Sequence, residues 1–181
     1  WHSCCTVRET GEIKPKVTPY ATVYPPGETE EEIRERFGKA IERGFQAVKL
    51  EEWPGGFARV NVKRDVEITK FVRELICEER ELLIDVQNRW YEVGQAITTI
   101  RAIEPYNVYF VEAPLPADNL DGYARLADAV DTRIAAGDWG FTTRFEFLDL
   151  MDRGRVDVVQ PSSVRSGGIS EIVKIAEMAY R

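Results

Sequence analysis

The sequence predicts an α/β fold: an incomplete (β/α) barrel of the TIM type, with about six of eight βα units. Two observations predict it. Short apolar runs alternate without a break with amphipathic stretches from residue 20 onward. Strict β-α-β-α order makes a parallel sheet with right-handed crossovers. Three of the runs also close on an acid at near-constant intervals: Asp85 to Glu112 is 27 residues and Glu112 to Asp138 is 26. No glycine-rich loop follows the first strand, which argues against a doubly wound dinucleotide fold. A closed barrel typically takes about 250 residues, and the 181 present hold six units of that period. Residues 1–19 then read as the end of something preceding the barrel, and 20–181 as a partial barrel domain. An open barrel has unpaired strand edges, which are templates for association, so a homo-oligomer is expected.

Each element has its own signal. The strand runs are YATVY (20–24), FQAVKLE (45–51), ELLIDVQ (81–87), VYFVEA (108–113), RIAAGD (133–138) and VDVVQP (156–161). They are rich in Val, Ile and aromatics, as buried parallel strands are. Thr29 followed by Glu32 is a capping-box signature, and Ile33, Phe37, Ala40 and Ile41 then share one helix face. Gly44 ends that helix. Val66, Thr69 and Val72 to Ile76 carry a second helix, and further helices are expected near 92–103, 119–129, 142–152 and 168–180.

Composition excludes several classes. A net charge of -7 gives no general pull on nucleic acid or anionic membrane. No apolar run approaches the roughly 20 residues that span a bilayer. Three cysteines, Cys4, Cys5 and Cys77, make a poor disulfide framework, so a reducing cytoplasm is expected. Cys77, in FVRELIC, reads as core. Cys4, Cys5 and His2 lack a second ligand cluster, which argues against a zinc site there.

The acids carry the chemistry. Residues two apart in a strand share a face, so Leu83, Asp85 and Gln87 point one way and Leu82, Ile84 and Val86 the other. The same parity groups Phe110 with Glu112, and Ala136 with Asp138. Asp85, Glu112 and Asp138 would then converge at the C-terminal end of the barrel, where active sites of this fold lie. Converging carboxylates repel unless a positive charge sits between them, and hard oxygen ligands suit Mg2+. Alternatively, each acid caps the helix after its strand.

The runs IDVQNRW, VEAPLP, AAGDWGFTTRFEF and DVVQPSSVRSGGISE resemble the enolase superfamily, mandelate racemase and muconate lactonizing enzyme-like subgroup, over roughly residues 17–181. The resemblance implies an N-terminal capping domain, largely absent here, and an eight-unit barrel. It implies Asp85, Glu112 and Asp138 as Mg2+ ligands, with Asp138 standing where relatives commonly have the longer Glu. The chemistry it implies is removal of a proton α to a carboxylate. Relatives often carry Lys-x-Lys on the second strand; here Lys49 fits the first Lys and Glu51 stands in place of the base. Glu51 is either a catalytic acid or base, or a salt-bridge partner of Lys49. Ser162 stands where relatives have Asp or Lys, and the His of a His–Asp dyad would come from a seventh strand. Gln87 replaces a common Asn and is expected, with Ser162, to bind substrate. Trp53 is placed to wall the pocket or to pack its loop. The implied function is a lyase dehydrating a sugar acid. The alternatives are a racemase, epimerase or cycloisomerase, or a metal-binding barrel without this catalysis.

Overall fold

A computed structural model describes residues 18–24, 27–51 and 61–180. His2, Cys4, Cys5, Trp53 and most of the 1–19 segment lie outside the described residues. Six strands, β1 (Tyr20–Val23), β2 (Ala47–Glu51), β3 (Glu81–Asp85), β4 (Val108–Glu112), β5 (Arg133–Ala136) and β6 (Val158–Val159), form one sheet in sequence order. Every neighbouring pair is parallel. The helices between and after them are α1 (Glu30–Glu42), α2 (Val62–Ile76), α3 (Val93–Ile103), α4 (Leu120–Ala127), α5 (Arg144–Asp152) and α6 (Ile169–Ala179).

Local chemistry sets the helix starts. Thr29 and Glu32 exchange the two capping-box hydrogen bonds, Glu32 N–H to Thr29 Oγ1 at 3.2 Å and Thr29 N–H to Glu32 Oε2 at 3.1 Å. A second capping box, Thr143 with Glu146, starts α5, and Asn61 caps α2. Cys77 departs from expectation. It is exposed, because α2 ends at Ile76 and Cys77 takes a φ of 61° that turns the chain out of the helix.

The sheet has two faces with different cores. Leu82, Ile84, Val86 and Val111 pack with the helices in the large core, beside Phe37, Val72, Ile100 and Phe147. On the opposite face Ala47, Leu83, Phe110 and Ala135 make a small cluster with Tyr20 and Val158 against it. The parity expected for β3 and β4 holds. On β5 it shifts: Ala135 joins the inner cluster and Ala136 packs outward. Strand alternation alone would therefore turn Asp138 outward; the turn at Gly137, φ 121°, breaks the alternation.

Two buried charged groups brace the scaffold. Arg73 of α2 donates to the carbonyls of Tyr106 (2.9 Å), Cys77 (2.8 Å), Arg80 (2.7 Å) and Asn107 (2.9 Å), tying α2 to the 3-10 turn before β4. Asp65, in the first turn of α2, is buried against the charge of Arg89, which follows β3. Among the described residues no helix is long and apolar enough to cross a membrane.

Candidate active site

The C-terminal strand ends surround one cavity of about 340 Å³, whose lining includes residues from or just after all six strands, Thr22, Lys49, Asp85, Glu112, Asp138 and Gln160 among them. A flat sheet with strands about 4.8 Å apart would hold its first and sixth strands roughly 24 Å from each other, so a shared cavity requires the sheet to curl.

Asp85 and Glu112 are paired in register across β3 and β4 and both are buried. Lys49, from β2, lies between them: its Nζ donates to Glu112 Oε2 at 2.8 Å and to Asp85 Oδ2 at 3.2 Å. Burial pushes the Asp85 carboxyl up to about 7, the neighbouring Glu112 charge adds to this, and Lys49 opposes it. Burial alone would depress the Lys49 ammonium, but Glu112 and Asp85 outweigh it and hold the group above its ordinary range. Lys49 therefore stays charged at neutral pH. The Gln87 backbone N–H fixes Asp85 Oδ1 at 3.0 Å.

Glu51, at the end of β2, accepts a 2.7 Å hydrogen bond from Gln87 Nε2. The ion pairs formed by Lys49 go to Asp85 and Glu112, so Glu51 does not serve as its salt-bridge partner. The loop after β3 is shaped for this contact: Gln87 and Asn88 adopt φ of 50° and 57°. Ala113, after β4, also has a positive φ of 47°. Such backbone costs of order 1–3 kcal/mol per residue and clusters at functional sites.

Asp138 stands three residues beyond Ala135, the β5 partner of Glu112. It lines the cavity, but its backbone O and its Oδ1 both accept from Arg165 Nη1, the latter at 3.3 Å. The loop that carries it needs both flanking glycines. A Cβ at Gly137 would lie 2.6 Å from Phe147, and one at Gly140 2.4 Å from Ala117. Ser162 is not among the residues lining the cavity; its carbonyl accepts from Arg165 N–H at 3.1 Å and Ser166 N–H at 2.8 Å in the turn before α6. Gln160 lines the cavity instead. Its Oε1 is buried and makes no hydrogen bond among the described residues. The signal for Gln160 was present in the sequence: it lies two residues after Val158, which packs on the inner cluster.

Whether these residues fit a divalent cation follows from the donor set. Asp85 and Glu112 already share one cation, the Lys49 ammonium, and offer the carboxylate oxygens that Mg2+ favours. Among the described residues no three His, Cys, Asp or Glu side chains stand close enough together to hold a metal. Two of the three expected acids are thus side by side, while Asp138 lines the same cavity engaged by Arg165.

The enolase C-terminal domain-like family model matches residues 32–181. An arabinonate dehydratase of Saccharolobus solfataricus is 32% identical over 171 residues, covering 93% of this chain and 44% of the relative. An L-talarate/galactarate dehydratase of Salmonella typhimurium is 34% identical over 140 residues, covering 77% of this chain and 33% of the relative. The solved L-talarate dehydratase of Polaromonas sp. JS666, complexed with Mg and L-glucarate, superposes with a TM-score of 0.84 at 28% identity, over 94% of this chain and 46% of that one. A racemase from Streptomyces coelicolor with bound magnesium superposes with a TM-score of 0.82 at 25% identity, over 91% of this chain and 44% of that one. The chain spans less than half the length of each of these proteins.

Proposed function

The chain belongs to the enolase C-terminal domain-like family, in the mandelate racemase-like branch of the enolase superfamily, and on that premise we propose that it forms the barrel part of a Mg2+-dependent sugar-acid dehydratase. The observation that carries the reading is the paired Asp85 and Glu112 carboxylates around one cation at the base of the cavity. Asp85, Glu112 and Asp138 line the same cavity and would hold Mg2+ on closing around it, since as described Asp138 stands apart from the other two. When bound, the ion supplies positive charge against which a substrate carboxylate can take up electron density.

The chain's own residues would do the rest. With a cation held by Asp85 and Glu112, these acids would release Lys49. Its ammonium is then free to bind and orient the substrate carboxylate. Glu51, held by Gln87, is placed to accept the α proton as a general base. The C–H electrons form the new C=C bond as the β C–OH bond breaks, and the hydroxyl leaves as water on taking the proton that Glu51 has just accepted. The resulting enol tautomerises to a 2-keto-3-deoxy acid. The dehydratase relatives support this outcome. A racemase is the second reading, supported by the Streptomyces neighbour, but racemisation wants a competent base on each face of the substrate.

The test is a panel of aldonic and aldaric acids incubated with the full-length protein and Mg2+, read by 2-keto-3-deoxy acid formation. Turnover of at least one acid is expected, with Glu51→Gln lowering kcat by about 10²–10⁴-fold. Isomerised acid without keto acid would overturn dehydration; an unaffected Glu51→Gln would remove Glu51 from the chemistry.

A further inference from the structure

Asp138 has the hardest task of the three acids. It lies past the strand, three residues above the level at which Asp85, Glu112 and Ala135 pair. Its side chain is one methylene shorter than a Glu. Something beyond strand geometry must aim it.

Arg165 is built for that. One guanidinium nitrogen donates to both the backbone O and the Oδ1 of Asp138. The same guanidinium stacks on the ring of the next residue, Trp139, at 3.7 Å from its centroid. Arg165 itself springs from a braced turn, in which Ser162 O accepts from Arg165 N–H and Ser166 N–H, Ser163 O accepts from Gly168 N–H at 3.1 Å, and Ser166 is buried. A single cation thus grips the main chain and the side chain of one acid and is held by the neighbouring ring. A planar fork can do both at once; a lysine ammonium cannot stack or donate in the same way.

We infer that Arg165 is a positioning residue for Asp138, holding it on the wall of the cavity that Asp85 and Glu112 also line, with Trp139 holding the guanidinium in place. The inference rests on the proposed role of Asp138 as a ligand. A charged donor on one carboxylate oxygen restricts its rotation. Outer partners of this kind are worth about 10–100-fold in metal affinity.

The experiment titrates Mg2+ alone into the metal-stripped full-length protein by calorimetry, with Arg165→Met, Arg165→Lys, Asp138→Asn and the surface control Glu92→Gln. Arg165→Met should weaken binding by about 10–100-fold. Arg165→Lys should rescue it only in part, and Glu92→Gln should bind as the parent does. Tryptophan fluorescence gives a second readout: a Mg2+-dependent change in the parent should be lost in Trp139→Phe. Parent-like or tighter binding by Arg165→Met, alongside weakened Asp138→Asn, overturns the inference and leaves the metal site standing. Parent-like binding by Asp138→Asn removes the ligand role and the inference together. Should Arg165→Met fail to fold, Arg165→Lys decides, and an unchanged affinity there overturns the proposal.

Discussion

Asp65 shows what a single buried charge does to this molecule. Burial raises its carboxyl to about 6 from an ordinary 3.8, although Arg89 pulls the other way. Its two oxygens make no hydrogen bond among the described residues. Between about pH 4 and 6 the folded state therefore keeps a proton that the unfolded chain has lost. Folding takes up that proton, so this group's contribution to stability falls as pH rises through the window. The difference is on the order of 3 kcal/mol. Asp65→Asn should flatten the stability–pH curve of the full-length protein between pH 4 and 6, measured by denaturant midpoint; an unchanged slope would contradict this. Residues at this scale were unevenly legible. Period-2 parity sufficed for Asp85 and Glu112, whose pairing is set within regular strands. Arg165 was not legible, because its contact with Asp138 crosses 27 residues between two irregular loops. Nor was the Glu51–Gln87 bond, which depends on the left-handed turn at Gln87.

At the scale of elements, caps and clips decide where helices begin and how they dock. The Thr29–Glu32 box was readable because its chemistry is local. The Arg73 clip was not, since its four carbonyls come from two separate turns, one after α2 and one before β4. Hydrogen bonds to charged groups contribute roughly 1.5–3 kcal/mol each, and unmet buried carbonyls cost more. Arg73→Met should therefore destabilise the protein by about 3 kcal/mol or more, with Arg73→Lys intermediate, by chemical denaturation. A loss below about 1 kcal/mol would mean that water replaces the guanidinium. The β5 loop shows the limit of reading by period: Ala136 was expected to share a face with Asp138, but Ala135 joins the inner cluster, and the turn at Gly137 then brings Asp138 back to the cavity.

The whole molecule is a parallel sheet curled so that six strand ends share one cavity. The alternation of runs and the 26–27-residue interval made that architecture legible in the sequence. Chemical purpose was less legible, because Glu51 and Ser162 depart from the groups the family resemblance leads one to expect, and of the two only Glu51 lines the cavity. The proposed Mg2+ site centres on the carboxylates of Asp85 and Glu112, gathered around the Lys49 ammonium. Two cations cannot share it, so ion binding must displace the ammonium. A crystal structure of the full-length protein grown with Mg2+ tests this most directly. An ion is expected about 2.0–2.1 Å from oxygens of Asp85, Glu112 and Asp138, with the Lys49 ammonium moved off both acids. Lys49 still bridging Asp85 and Glu112 at saturating Mg2+, with no ion between them, would contradict it.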